Sequence, residues 1–142
     1  MAIESLDPQQ AHEAMAKDAS RVFVDVRTEQ EYDAGHPAGA VNVPWATLDP
    51  ATGQMAPNPA FVPTMKQVAP AGATIYASCQ SGVRSLNACR ALEAAGWTRL
   101  VNVSSGFGGK RDPTGRVVVA GWRDAGLPVE TTRSTYPQLR AK

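Results

Sequence analysis

Apolar residues are arranged along the chain in short runs that predict strands, separated by amphipathic stretches that predict helices. Near-continuous apolar runs at residues 21–27, 74–77 and 100–103 are typical of strands covered on both faces. Residues 3–6 and 40–43 predict two shorter strands. Because strands and helices alternate, the pattern predicts an α/β fold: a small parallel β-sheet flanked by helices on both faces.

Residues that are typical of helix ends predict where several of the helices begin or stop. Asp7 followed by Pro8 predicts an N-cap and a first helical residue, and Thr28 with Glu31 resembles a capping box. Gly96 suits the position after a helix C-terminus. The predicted helices cover approximately residues 7–17, 28–34, 63–68, 85–95 and 122–127.

The remaining segments are predicted to be loops, a hairpin and a tail. Residues 49–63 are rich in Pro, Gly, Ala and Asn and are typical of a surface loop. Residues 110–121 look like an inserted hairpin, and the polar residues from 131 onward are expected to form a mobile tail. We therefore expect one domain over residues 1–130 and a polar C-terminal tail over residues 131–142.

Composition narrows the class of protein. The chain has 142 residues, 43% of them hydrophobic, and a formal net charge of +1, which gives no strong attraction to nucleic acid or membrane. We expect no membrane contact, because no apolar run could span a bilayer and the N-terminus lacks the apolar region of a signal peptide. Two cysteines are too few for a disulfide framework, so a reducing, cytoplasmic setting is expected. No metal-ligand spacing and no Gly-rich phosphate motif occurs, so neither a metal nor a cofactor is expected.

The candidate chemistry centres on Cys79, which directly follows a predicted strand and begins a loop that leads into a helix N-terminus. Backbone N–H groups in such a loop converge, and the helix dipole adds positive charge, so a nucleophilic thiolate should be favoured there. Arg84 adds a permanent cation, and Gly82 allows a sharp turn. We interpret the loop as a binding site for an anionic sulfur and an incoming anion, with Cys79 as the nucleophile. The candidate binding residues are Gln80, Ser81, Gly82, Val83 and Arg84.

A second loop is expected beside the first. Residues 104–109 form a flexible turn after the last core strand, and open parallel sheets bind ligands at the carboxyl edge of their strands. This turn is therefore predicted to border the Cys79 loop.

Four further residues are candidates for supporting that loop: Asp25, Arg27, His36 and Ser85. Asp25 and Arg27 could pair with each other or support the loop, and we favour a supporting role over a role in the chemistry. For His36, between Gly35 and Pro37, we favour a buried, hydrogen-bonded turn histidine over a general base.

The second cysteine, Cys89, has two possible interpretations. Cys89 lies on the apolar face of its predicted helix and is interpreted as a small core residue, with a resolving thiol for Cys79 as the alternative.

These residues together resemble the rhodanese homology domain. The resemblance spans roughly residues 3–128, and three motifs occur in the family's order and spacing. Residues 24–27, 31–32 and 35–44 are similar to its first signature, residues 79–85 to its active-site loop, and residues 96–97, 101–102 and 106–109 to its second signature. The chain departs from the pattern at Pro37-Ala38, where an aliphatic residue followed by Pro is usual. It also departs at residues 110–121, which separate the Gly-Gly turn from Trp122.

The resemblance implies a thiosulfate-type sulfurtransferase. Cys79 would attack the outer sulfur of a small anionic donor such as thiosulfate, and the resulting persulfide would pass its sulfur to cyanide or a thiol. Two-step covalent transfer of this kind gives ping-pong kinetics.

Two other functions are compatible with the same loop. Cysteine phosphatases that share this fold place Arg six positions after Cys, whereas Arg84 is five positions after Cys79, and the smaller ring suits one sulfur better than a phosphate. A persulfide carrier that is loaded and unloaded by partner proteins of a sulfur relay also fits an intact loop.

Overall fold

The computed structural model describes residues 3–140, which form eleven short strands and five helices. The strands are β1 (Glu4–Leu6), β2 (Arg21–Asp25), β3 (His36–Pro37), β4 (Val41–Asn42), β5 (Ala46–Leu48), β6 (Met55–Pro57), β7 (Thr74–Ser78), β8 (Leu100–Val103), β9 (Lys110–Arg111), β10 (Val117–Val119) and β11 (Val129–Glu130). The helices are α1 (Pro8–Ala16), α2 (Glu29–Ala34), α3 (Phe61–Val68), α4 (Val83–Ala94) and α5 (Tyr136–Leu139).

Five strands form a central parallel sheet in the order β1-β8-β7-β2-β4, which confirms the predicted fold class. The strands are in register at their carboxyl ends, where Asp25 lies beside both Ser78 and Asn42. The loops that follow β2 and β7 therefore start at the same edge of the sheet, and this edge carries Cys79.

Helices cover both faces of the sheet, as predicted. Side chains alternate along β7, so Ile75 and Ala77 pack with residues of α3 and α4, whereas Tyr76 packs with residues of α1. The first face includes Cys89 among its fully buried residues. Coverage of both faces explains why β7 is buried along its whole length.

The two helix starts predicted from capping residues are confirmed. Asp7 and Gln10 form a reciprocal capping box at α1, and Thr28 and Glu31 form another at α2. Helix α4 begins at Val83, two residues earlier than the periodicity indicated, because Gly82 takes the N-cap position.

A predicted loop and a predicted helix differ from the structure. The loop predicted over residues 49–63 contains β6, which pairs antiparallel with β5 and so forms a hairpin, and α3 begins at Phe61. The helix predicted at residues 122–127 is a series of turns, in which the Ala125 N–H donates to Gly121 O and the Leu127 N–H donates to Trp122 O. Gly126 adopts a φ of 78°, which ends any helical progression there.

The inserted hairpin over residues 110–121 is confirmed, with β9 and β10 paired antiparallel. Asp112 organises its turn by accepting hydrogen bonds from the Thr114 hydroxyl (2.6 Å) and from the Arg116 N–H (3.0 Å). These hydrogen bonds lower the pKa of the Asp112 carboxyl.

The expected polar, mobile tail instead packs on the domain through residue 139. The Ser134 hydroxyl donates to Asn42 Oδ1 (2.7 Å), and Tyr136 is buried against the α3 side of the core. The last two residues of the expected tail lie outside the described part of the chain. Composition indicated a mobile segment because most of these residues are polar, but a single buried aromatic ring and paired polar groups fix its position.

None of the helices in the described part of the chain is long and apolar enough to cross a membrane.

Candidate active site

Cys79 lies immediately after β7, at the base of the loop that leads into α4, and is 1% exposed. The Gly82 N–H donates a hydrogen bond to the Cys79 sulfur at 3.1 Å. Gly82 has a φ of 103°, and a side chain at this position would run into the backbone of Ser104. Glycine at position 82 is therefore required both for the turn and for its close packing.

The first turn of α4 directly follows the same loop. No side chain among the described residues caps the helix at Gly82. The N–H groups of a helix's first turn have no partner within the helix, and the helix dipole favours negative charge beside them. The loop is consequently suited to an anionic sulfur or an oxyanion, as the sequence indicated.

A polar pair lies behind the sulfur. The Ser85 hydroxyl is 3.4 Å from the Cys79 sulfur and hydrogen bonds to Asn102 Oδ1. The Asn102 amide group in turn donates to Gly82 O (3.2 Å), which fixes its orientation. A hydroxyl carries one hydrogen, so Ser85 can give it to Asn102 or to the sulfur, and negative charge on the sulfur favours the second arrangement.

The turn over residues 104–109 borders the Cys79 loop, as predicted. The Phe107 N–H donates to Cys79 O (2.7 Å), and the Gly108 N–H donates to Gln80 O (2.9 Å). A side chain at Gly106 would overlap the backbone of Cys79 and Gln80. The two loops therefore form one packed unit rather than two neighbouring flexible segments.

Arg84 is engaged by a carboxylate that the sequence analysis did not pair with it. Its guanidinium and the Glu31 carboxylate are joined by two hydrogen bonds, of 2.7 and 3.0 Å. Burial acts to raise the pKa of Glu31, but the hydrogen bonds and charge of Arg84, together with the Thr28 N–H, lower it to about 2. Hydrogen bonding to Glu31 raises the pKa of Arg84. The cation next to the loop is thus held in place and partly neutralised.

Asp25 and Arg27 pair with each other and also reach the loop. The Arg27 guanidinium donates to Asp25 Oδ2 (2.8 Å) and to Gly35 O (2.6 Å), and both side chains are almost fully buried. The remaining guanidinium nitrogen lies 3.5 Å from Gln80 Oε1, and the group stacks 4.5 Å from the centre of the Phe107 ring. A fully hydrogen-bonded buried ion pair of this kind fixes the position of the loops around it.

His36 is buried and hydrogen-bonded on both sides of its ring. Its Nδ1 is 2.9 Å from Tyr32 O, its Nε2 is 3.2 Å from the Thr132 hydroxyl, and the ring stacks on Tyr32 with 3.5 Å between centroids. These contacts join α2 to the C-terminal segment. They support the structural interpretation of this histidine, because neither ring nitrogen is left for proton transfer.

Cys89 lies in the core, fully buried, with its sulfur 3.8 Å from Val101 O. Burial, with a smaller contribution from charge at Cys79 and Glu93, raises the pKa of its thiol to about 12. Such a thiol stays protonated near neutral pH and is a poor nucleophile. Both cysteines are free.

Two residues that contact the site, Asn102 and Glu31, were not predicted from the sequence. A usable signal existed for Asn102, since it is a polar residue within an apolar strand, and a buried amide needs hydrogen-bond partners. Glu31 was assigned to the capping box, and its second partner lies 53 residues further along the chain. No local pattern predicts such a pairing.

A cleft with a volume of about 510 Å³ lies between the Cys79 loop and the inserted hairpin. It is lined by Gln80, Ser81, Val83, Gly109, Lys110 and Arg111. Within the described residues, no group of three or more His, Cys, Asp or Glu side chains could hold a metal ion.

A five-stranded parallel sheet with a cysteine loop at its carboxyl edge places the protein in the α/β class, and comparison with known proteins identifies the family. The rhodanese-like domain model matches residues 7–109, and the chain belongs to this family. It is 31% identical to thiosulfate sulfurtransferase 16, chloroplastic, of Arabidopsis thaliana, over 92% of this chain and 99% of the relative. It is 30% identical to thiosulfate sulfurtransferase 18 of the same plant, over 91% of this chain and 85% of the relative.

Solved structures give the same fold. The crystal structure of Rv0390 from M. tuberculosis superposes with a TM-score of 0.77 at 32% identity, covering 93% of this chain and all of that one.

Proposed function

We propose that this protein transfers sulfane sulfur from thiosulfate or a similar small anionic donor to cyanide or a thiol, through a persulfide on Cys79. The observation that carries the proposal is the donor set at the sulfur: the Gly82 N–H at 3.1 Å and the uncapped first turn of α4. Donors aimed at a buried sulfur stabilise the negative charge of a thiolate and of a persulfide. The names of the two plant relatives support the same activity.

The first half-reaction loads the cysteine. The Cys79 thiolate attacks the outer sulfur of thiosulfate, a bond forms between the two sulfur atoms, and the sulfur–sulfur bond of thiosulfate breaks. Sulfite leaves with the electron pair. The backbone of residues 80–84 would hold the donor's charge, and Arg84 would contribute from its fixed position beside Glu31.

The second half-reaction removes the transferred sulfur from Cys79. Cyanide or a thiolate attacks the terminal sulfur of the persulfide, the bond to the Cys79 sulfur breaks, and the thiolate is restored. Asp25, Arg27, Ser85 and Asn102 hold the loop in one geometry through both steps. His36 has a structural role. Two free cysteines agree with a reducing compartment such as the cytoplasm.

The test is to measure the intact mass of the protein after incubation with thiosulfate. We expect the mass of one added sulfur atom, removable by cyanide, and no such adduct on Cys79→Ala. Cys89→Ala is the matched control and should still load, because Cys89 is a buried, protonated thiol. An adduct that persists on Cys79→Ala would contradict the assignment.

Steady-state kinetics then separate the enzyme from the sulfur carrier. A sulfurtransferase should show ping-pong kinetics with thiosulfate and cyanide. A protein that loads sulfur but releases it only to a partner protein would be a carrier. Turnover of an aryl phosphate without sulfur loading would instead identify a phosphatase.

A further inference from the structure

The cleft between the Cys79 loop and the inserted hairpin has the size of a small-molecule site. Its volume of about 510 Å³ lies within the usual range for ligand pockets. One wall is formed by Gln80, Ser81 and Val83 of the catalytic loop, and the opposite wall by Gly109, Lys110 and Arg111. We call it the loop–hairpin cleft.

The hairpin wall of the cleft carries two cations that form no ion pair within the described residues. Lys110 and Arg111 are exposed, and neither forms an ion pair with any residue of the described chain. The Arg111 guanidinium donates to Gly115 O (2.8 Å), which positions it, and its other donors have no partner within residues 3–140. The acid on this hairpin, Asp112, accepts hydrogen bonds from the Thr114 hydroxyl and the Arg116 N–H.

The opposite wall includes one exposed apolar side chain beside the polar residues Gln80 and Ser81. Val83, on the first turn of α4, is 66% exposed, although it stands next to the loop that holds the reacting sulfur. An oxyanion alone gains nothing from such a side chain. A ligand with a short aliphatic body and a terminal carboxylate would satisfy both walls, the body against Val83 and the carboxylate against Lys110 and Arg111.

We infer that the loop–hairpin cleft binds the sulfur acceptor, and that this acceptor is an aliphatic thiol carrying a carboxylate. The inference rests on the proposed function and specifies its acceptor. Cys79 itself is 1% exposed, but a persulfide extends the reactive atom by about 2 Å, the length of a sulfur–sulfur bond. An acceptor seated in the cleft therefore needs to reach only the terminal sulfur.

The transfer step needs no further oxidant or reductant. The acceptor thiolate attacks the terminal persulfide sulfur and forms a new sulfur–sulfur bond. The bond to the Cys79 sulfur breaks, and its electron pair stays on Cys79 as the thiolate. The products are the acceptor's persulfide and the unloaded enzyme.

The experiment measures the discharge of sulfur-loaded enzyme by two thiols, mercaptopropionate and mercaptoethanol, in single-turnover mixing. They differ mainly in the terminal group, carboxylate or hydroxyl. The intrinsic reactivity of each thiol cancels when their rate ratio is compared between wild type and variant. The variants are Lys110→Ala, Arg111→Gln and the double substitution, with Arg116→Ala as the control because Arg116 is a hairpin cation that does not line the cleft.

We expect the mercaptopropionate-to-mercaptoethanol rate ratio to fall about threefold for each single variant and about tenfold for the double variant, as for exposed ion pairs. Arg116→Ala should keep the wild-type ratio. Because Arg111 also holds the hairpin turn, Lys110→Glu provides a variant that retains that hydrogen bond, and it should lower the ratio at least as much as Lys110→Ala.

Three outcomes would overturn the inference. Loaded variants that keep the wild-type ratio would show that the cleft does not bind the acceptor carboxylate, while leaving the proposed function intact. Variants that load more slowly from thiosulfate but discharge with the wild-type ratio would assign the cations to the donor. Failure of the wild-type protein to load any sulfur would remove the proposed function and this inference with it.

Discussion

Arg84 and Glu31 form a two-point ion pair, with Nη1 to Oε1 at 2.7 Å and Nη2 to Oε2 at 3.0 Å. Glu31 also accepts a hydrogen bond from the Thr28 N–H (3.1 Å) in the capping box of α2. One carboxylate therefore connects the start of α2 to the start of α4, the helix that directly follows the Cys79 loop. The pair sets where the arginine's charge can act and how much of that charge an incoming anion experiences.

We predict that Arg84→Ala lowers kcat/KM for thiosulfate about tenfold. A charge-assisted hydrogen bond to the donor is worth about 1.5–3 kcal/mol, and we take the low end because Glu31 already offsets part of the charge. Arg84→Lys should recover only part of the loss, since an ammonium cannot reproduce the planar, two-point contact. The measurement is steady-state turnover, after circular dichroism has shown that each variant is folded. Wild-type turnover by folded Arg84→Ala would mean that the backbone alone binds the donor.

The same ion pair predicts how stability depends on pH. The pKa of Glu31 is lowered from its ordinary 4.5 to about 2 in the folded protein. Above pH 4.5 the carboxylate is ionised in both states, so its stabilisation is fully present. As the pH falls toward 2, the unfolded state takes up the proton first, and the stabilisation is lost.

Thermal unfolding of wild type and Glu31→Gln across that range tests this prediction. Above pH 4.5, wild type should be more stable than Glu31→Gln by about 1 kcal/mol. The value is small because solvent screens a partly exposed ion pair. The difference should shrink toward zero at the acid end. A difference that stays constant throughout would show that Glu31 does not contribute through its charge.

Gly106 is predicted to be indispensable for the joint packing of the two loops. It has a φ of 60°, and an added Cβ would overlap the backbone of Cys79 and Gln80. Gly106→Ala should therefore cost about 2–4 kcal/mol, combining backbone strain with overpacking. It should also slow sulfur loading.

Gly126→Ala is the matched control, since Gly126 has a φ of 78° but no atom within 4 Å of the added Cβ. Chemical denaturation should show a smaller loss for this variant, about 1–2 kcal/mol, and loading should be unchanged. Equal losses for the two variants would mean that the overlap with the Cys79 loop has no energetic consequence.

Tyr136 is predicted to anchor the C-terminal segment. Its ring is 4% exposed, and its hydroxyl accepts a hydrogen bond from Asn58 at 2.8 Å. Tyr136→Ala should lower the free energy of unfolding by about 3 kcal/mol, whereas Tyr136→Phe should cost about 1 kcal/mol, because it removes only the hydrogen bond. Denaturant titration measures both. If Tyr136→Ala unfolds like wild type, residues 131–139 do not contribute to the stability of the domain.

The sequence by itself determined the features that depend on neighbouring residues. Caps at Asp7 and Thr28, the apolar strand runs and the strand–loop–helix setting of Cys79 are all local, because capping reaches three residues along the chain and side-chain periodicity repeats within a few. The parallel sheet followed from the alternation of these elements. The meeting of the two loops followed from the shared carboxyl edge.

The tertiary structure alone decided which distant groups became partners. Glu31 meets Arg84 across 53 residues, and Ser134 meets Asn42 across 92. Strand β6 also formed within residues that composition assigned to a loop, because its backbone groups could pair with those of β5, which no single-residue preference reveals. Each of these contacts joins segments whose proximity is fixed only after the sheet and its helices have packed. For that reason the sequence located the proposed nucleophile, Cys79, whereas the fold decided which charged groups lie near its loop.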